Sequence, residues 1–308
     1  MSERACVSGG IGVRVRKNLD CDPGFCVGPR VKIDVHRPAH TRDRRRVCSA
    51  RPPTNATAQA AISSRRYTST PLPMLTLLAL LPASHGALKL SYFDARGAAE
   101  TTRVLLAIAG AKYEDKRFSI GPGMAAPEFK EAKESGRLVA NLGRAPIMSI
   151  EGQGEIGQSK AMERFVARQY GMFGATEFEA CKIDAIAEHC RDINDAKRTK
   201  GFSRFSQKSD EDKAAARTEW FETDLPSWLE RLEACVMSYS GADGCAVGSA
   251  LSYADVCLWA LLRECPEDEA AETAKAANAC TKLNAIADAV AAHPNVEAWL
   301  KSRPATAF

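Results

Sequence analysis

The stretch LKLSYFDARGAAETTRVLLAIAGAKYEDKRF, Leu88 to Phe118, limits what this chain can fold into more than any other part of it. Leu88 to Phe93 alternates apolar and polar side chains and reads as a strand. Ala98 to Ala111 places Val104, Leu105, Ile108 and Ala109 on one helical face and closes at Gly110, a residue suited to a left-handed cap. Tyr113 to Phe118 reads as a second strand. Two strands flanking one helix within about thirty residues predict a βαβ unit, hence a parallel pair joined by a right-handed crossover.

A Gly- and Pro-containing loop follows. APIMSI (Ala145 to Ile150) and GEI (Gly154 to Ile156) then read as a hairpin. A helix begins at Ser159, with Met162, Phe165, Val166 and Gln169 forming its apolar stripe. From Glu177 onward the pattern is helical, with Ala-rich amphipathic runs and no strand signal. The order βαβ, then ββα, then helices predicts an α+β domain over 87–172 followed by an all-α helical bundle over 173–308. A 308-residue chain suits two such domains.

Residues 1–86 read differently. Residues 1–73 hold fourteen Lys and Arg against five acids, whereas the rest holds 28 against 33. The first tract, rich in Arg, Pro, Ser and Thr, is expected to be a basic disordered leader. The mildly acidic remainder gives no basic surface for nucleic acid. In PLPMLTLLALLPASHGA, Pro71 to Ala87, the apolar run is too short to span a membrane and suits a signal-peptide core, with Arg65 and Arg66 upstream. A start at Met74, or a linker packed on the first strand, are its alternatives. The targeting reading puts the mature N-terminus between His85 and Lys89. Of the eleven cysteines, none forms a CxxC pair or joins a Cys/His cluster at zinc spacing. They read as reduced, mostly buried thiols, and no metal is expected. His189 and His293 lack ligand partners at metal spacing.

KLSYFDARGAAE, GRAPIM, IGQSKAMERFVARQYG and LSYADVCLW occur in this order, and the chain ends in HPNVEAWLKSRPATAF. From Lys89 to Phe308 the sequence resembles the cytosolic glutathione transferases, most closely their sigma class. The resemblance implies a thioredoxin-like first domain, glutathione as co-substrate, a small electrophilic partner, a homodimer and a cytoplasmic location, the last at odds with the signal-like 71–87 segment. A glutathione-dependent isomerase of the prostaglandin D synthase type shares the same site and is one alternative; a non-catalytic, crystallin-like protein of this lineage is another, against which the retention of Tyr92, Gln158 and Ser159 weighs. The missing CxxC in residues 88–170 argues against a thioredoxin-type redox role.

The chemistry can be argued from the residues. A free thiol of pKa about 8.5 is only a few per cent thiolate at neutral pH, and lowering that pKa by about two units needs roughly 2.7 kcal/mol. One hydrogen bond to a charged group supplies about 1.5–3 kcal/mol. Tyr92, at the end of the first strand, is the candidate donor; Ser91 is the rival hydroxyl. Gln158 and Ser159 sit where a turn becomes a helix. Ser159 is expected to be the N-cap there, and free N–H groups at that end suit a carboxylate. The resemblance assigns this pair to the γ-glutamyl end of glutathione. It assigns the backbone of Ala145, before a family cis proline at Pro146, to the cysteinyl part, and Lys130 to the glycyl carboxylate.

Departures fall around that last group. Ala126 stands where the family has tryptophan, Arg144 where it has Gln or Lys, and Ala98 where sigma enzymes have a second arginine. The loop from Lys130 to Arg144 is longer than usual, and Arg144 is expected to substitute for the missing contacts. Asp184, Glu188, Asp192 and Asp195 recur on one helix face and read as a solvated acidic stripe. The resemblance makes Asp192 the acid that crosses a dimer interface to the glutathione amino group. Glu155 and Glu163 are placed on a strand and on an outer helix face. Ser252-x-x-Asp255 reads as a variant capping box with a folding role.

Overall fold

The computed structural model describes residues 86–239 and 241–306. The basic tract and most of the signal-like segment lie outside these residues. The chain enters a four-stranded sheet of order β2-β1-β3-β4. Its strands are β1 (Leu88–Phe93), β2 (Tyr113–Phe118), β3 (Ile147–Ile150) and β4 (Gly154–Gly157). β1 and β2 are parallel; β3 runs antiparallel to both β1 and β4.

The expected crossover helix starts later than its pattern suggests. A 3-10 turn covers Gly97–Ala99, and α1 then runs Glu100–Ile108, with Gly110 at φ +61 behind it. α2 (Pro127–Glu134) covers one face of the sheet and α3 (Ser159–Gln169) the other, beside α1. Side-chain alternation explains the two faces. Leu88, Leu90, Met148 and Ile150 belong to the main core with Val104, Leu105, Met162 and Val166. Phe118 and Ile147 point the other way, into a small cluster with Ala132 and Leu138 on which Phe93 and Phe129 pack.

From Glu177 the described chain is helical, as its pattern predicts: α4 (Glu177–Lys200), α5 (Asp210–Glu219), α6 (Leu225–Ser238), α7 (Tyr253–Arg263), α8 (Ala270–Ala276), α9 (Thr281–Ala291) and α10 (Pro294–Ser302). A π-helical turn, Trp220–Asp224, joins α5 to α6. Thr176 caps α4 through a bond from the Glu179 N–H, and Gly201 at φ +68 stops it. The Asp255 carboxylate accepts from the Ser252 N–H (2.6 Å), the Ser252 hydroxyl (2.7 Å) and the Ala246 N–H (2.6 Å), so its role at the start of α7 is structural.

Candidate functional site

Strand register gathers the candidate residues. Ser91 pairs with Ile147, and Ile147 pairs with Gly157. Tyr92 therefore follows, Ala145 and Pro146 precede, and Gln158 and Ser159 follow at one end of three adjacent strands, spaced about 4.8 Å apart. The site lies where β1 stops and where the β4–α3 turn begins.

Tyr92 is half-buried, its ring in a T-shaped contact with Phe93. Its hydroxyl oxygen accepts the Ala98 N–H at 3.2 Å. The acceptor side of that oxygen is thereby engaged, and its own proton is left to donate outward. Gly97, at φ +39, makes the approach feasible, because a Cβ there would lie 2.7 Å from the hydroxyl. Ser91, the rival, lines a cavity of about 260 Å³ under α2 with Lys89, Lys116 and Ile147. Alternation along β1 separates the two hydroxyls.

The Ala145–Pro146 bond is cis. Among the described residues nothing bonds the Ala145 N–H or carbonyl, so this half-buried backbone is open to pairing with an extended ligand. Asn141, which the sequence reading passed over, donates its side-chain amide to the Pro146 carbonyl at 2.9 Å and is 5% exposed. Gly157 abuts this turn, since a Cβ there would stand 2.3 Å from the Ala140 carbonyl.

Gln158, not Ser159, is the N-cap of α3; it sits at φ +66 and makes no capping bond through its side chain, and Ser159 is the first helical residue. The sharp exit from β4 uses up the residue that would otherwise precede the helix. With no side-chain cap, the first N–H groups of α3 stay available to an anion. A non-glycine residue at positive φ is the kind of local strain that clusters in binding sites.

Two electrostatic expectations are corrected. Glu163 is not on an outer face: it is 1% exposed, bonded to Lys160 at 2.9 Å and to the Tyr253 hydroxyl at 2.8 Å. α3 is sandwiched between the sheet and α7, so its buried face is wider than the apolar stripe, and the carboxylate is tolerated because it is paired. The acidic stripe is also not simply solvated. Arg164 binds Asp184 at 2.6 Å and also Glu188, tying α3 to α4. One turn further, Asp192 is exposed and unpaired among the described residues.

Lys130 is 76% exposed, and its nearest carboxylate is Glu134 at 3.9 Å, so the structure does not place its ammonium in the cluster. It stands on α2 beside Phe129, whose ring packs on Phe93 at 4.7 Å. Arg144 is exposed, with its Nε 3.4 Å from the Asn141 carbonyl. Burial pushes the Cys190 thiol up to about 12 and Cys257 well above the usual range, so neither offers a thiolate nucleophile. Among the described residues no group of three or more His, Cys, Asp or Glu side chains is placed to hold a metal. No described helix is long and apolar enough to cross a membrane.

A family model for the glutathione S-transferase N-terminal domain matches residues 88–168, and one for the C-terminal domain matches 195–303. Hematopoietic prostaglandin D synthase of Gallus gallus is 32% identical over 220 residues, covering 71% of this chain and 98% of that protein. This chain belongs to the glutathione S-transferase family. S-crystallin SL11 of Nototodarus sloanii is 28% identical over 222 residues, with the same shares covered. Among solved structures, the monomeric glutathione S-transferase Na-GST-3 of Necator americanus superposes with a TM-score of 0.57 at 28% identity, over 72% of this chain and all of that one. The four-stranded sheet with its helices, followed by the helical half, is the glutathione S-transferase fold.

Proposed function

We propose that this glutathione transferase activates the glutathione thiol at Tyr92 and adds it to small, apolar electrophiles. The observation that carries the reading is the Tyr92 hydroxyl, which accepts from the Ala98 N–H and has its own proton free to donate to a thiolate. Glutathione would lie along Ala145 like an added strand, its γ-glutamyl carboxylate at the start of α3 near Gln158 and Ser159. Arg144 and, through a swing of its long side chain, Lys130 would serve the glycyl carboxylate. The sulfur then attacks the electrophile, which gives up its leaving group or takes a proton. No resident metal takes part. The glutathione-binding domain spans 87–172 and the helical domain 173–308 in this reading.

A cavity of about 160 Å³ among the helices is lined by Ile193, Trp220, Phe221, Leu225, Leu261 and Glu264. Its wall residue Glu264 bonds Arg96, four positions after Tyr92, at 2.8 Å. Asn194 and Lys197 also line it, so it suits a compact group with an apolar body and a polar edge, and it is smaller than most drug-sized pockets. A second copy of the chain completes the site with Asp192, whose carboxylate is exposed and unpaired among the described residues. Similarity to prostaglandin D synthase supports a second reading, isomerisation at the same thiolate.

Retention on immobilised glutathione, followed by conjugation assays across aryl halides, epoxides and unsaturated carbonyls, tests the reading. Saturable turnover with one class is the expected result. Retention without turnover of any class would favour a crystallin-like binder, and failure to bind glutathione would overturn the proposal.

A further inference from the structure

We propose that Arg303, just after α10, is a positioning residue for Tyr92, acting through a partly buried chain of ionic hydrogen bonds that fixes the Ala95–Ala98 turn. The inference rests on Tyr92 being the donor to the thiol.

Arg303 joins two carboxylates from different elements. Its Nη1 lies 2.8 Å from Glu100 Oε1 on α1 and 2.8 Å from Glu264 Oε2 after α7. Each carboxylate uses its other oxygen on a residue that grips the turn. Glu264 Oε1 accepts from Arg96 Nη1 at 2.8 Å. Glu100 Oε2 accepts from Arg103 Nη1 at 3.3 Å, and the same Nη1 donates to the carbonyls of Ala95 (2.7 Å) and Arg96 (3.4 Å). Trp299 Nε1 of α10 donates to Glu100 at 2.8 Å. The next residues are Gly97 and Ala98, whose N–H meets the Tyr92 hydroxyl.

The chain of bonds runs inward from the surface: the Arg96 and Arg303 side chains are 22% and 19% exposed, while those of Glu264, Glu100 and Arg103 are 10%, 2% and 0% exposed. Burial opposes the Arg303 charge, but its bonds to Glu264 and Glu100 outweigh that and raise its pKa. Without this cation, Glu100 and Glu264 lose a shared partner and the grip on both ends of the turn loosens. The Ala98 N–H then drifts from the hydroxyl. A hydroxyl that accepts a bond is a stronger donor, so Tyr92 would stabilise a thiolate less. A purely structural role for Arg303 would lower stability and leave the thiol of the folded complex unchanged.

The test uses the full chain carrying Arg303→Gln or Arg303→Lys, each alone and with Tyr92→Phe. Thiolate absorbance of bound glutathione is titrated against pH, with thermal unfolding alongside. Arg303→Gln should raise the apparent thiol pKa by about half a unit to one unit, the worth of one ordinary hydrogen bond. Arg303→Lys should recover part of that shift, and in the Tyr92→Phe background Arg303→Gln should add nothing. An unshifted pKa in Arg303→Gln, or an equal shift persisting in Tyr92→Phe, overturns the inference. Tyr92→Phe without any shift of its own overturns the underlying reading instead. If Arg303→Gln does not fold, Trp299→Phe deletes one donor to Glu100 while keeping an aromatic, though smaller, side chain. It should give a smaller shift that vanishes with Tyr92→Phe, and no shift there overturns the inference too.

Discussion

Gly97 and Tyr92 are in such close approach that a Cβ on Gly97 would fall 2.7 Å from the tyrosine hydroxyl and 3.2 Å from its ring. The backbone of Gly97, at φ +39, is also one that side chains rarely adopt. Gly97→Ala should therefore push the hydroxyl from its place and cost about 1–2 kcal/mol of stability. Turnover should fall by about tenfold or more while the protein stays folded. Kinetics and urea unfolding of one preparation check both parts, and wild-type kcat would show that the hydroxyl is not needed where it stands.

Removing the hydroxyl alone is the cleaner experiment. Tyr92→Phe should leave folding and glutathione affinity nearly intact and raise the apparent thiol pKa of the complex by about one to two units, since one charge-assisted bond is lost. Thiolate absorbance across pH measures it. An unchanged titration would move the role to another donor.

Asp192 makes no bond within one protomer among the described residues. The ammonium of the γ-glutamyl group needs an acid, and Glu163, close to Ser159 in sequence, is spent on Lys160 and Tyr253. Asp192→Asn should weaken glutathione binding by about one to two decades if a partner's Asp192 serves that group. Thiol activation should change much less. Calorimetry and sedimentation together decide it: a monomer with normal affinity, the assembly named for the Necator neighbour, would exclude the shared site.

Asp255 predicts a pH dependence. Burial raises its carboxyl from 3.8 to about 6, against the bonds from Ser252 and Ala246 that pull it down. A folded-state pKa above the unfolded one means that the folded protein holds this proton more tightly. The stabilisation from Asp255 is full below about pH 4 and is lost as pH rises to about 6. Asp255→Asn should remove that slope. It should also lower stability by about 1–3 kcal/mol, because an amide offers one acceptor oxygen to three donors. Urea unfolding between pH 4 and 7 compares the two, and identical slopes would count against it.

Tyr92 and the turn at Gln158 were legible because each sits at a boundary marked by period and composition, where a strand stops or a helix begins. Ala145 was legible through the proline after it, although the cis geometry was not, since the energy difference that selects an isomer is set by the packed surroundings. Glu163 shows the limit of pattern. A carboxylate one place off an apolar stripe reads as exposed, and only the helix packed against α3 turns that surface into an interior.

The order of elements followed from the sequence alone, because strand alternation, helical period and caps are local properties of a few consecutive residues. So did the main candidates at the end of β1 and at the start of α3. Tertiary structure decided what surrounds them. The Ala98 N–H meets Tyr92 from a turn that Arg103 bonds at Ala95 and that Glu264 bonds at Arg96. Arg303 meets Glu100 across 203 positions of chain, and Glu264 meets Arg96 across 168. In sequence these are scattered charges with the look of a solvated surface. Packing α1, α7 and α10 together removes much of the water, and a charge short of water is held there by finding its opposite.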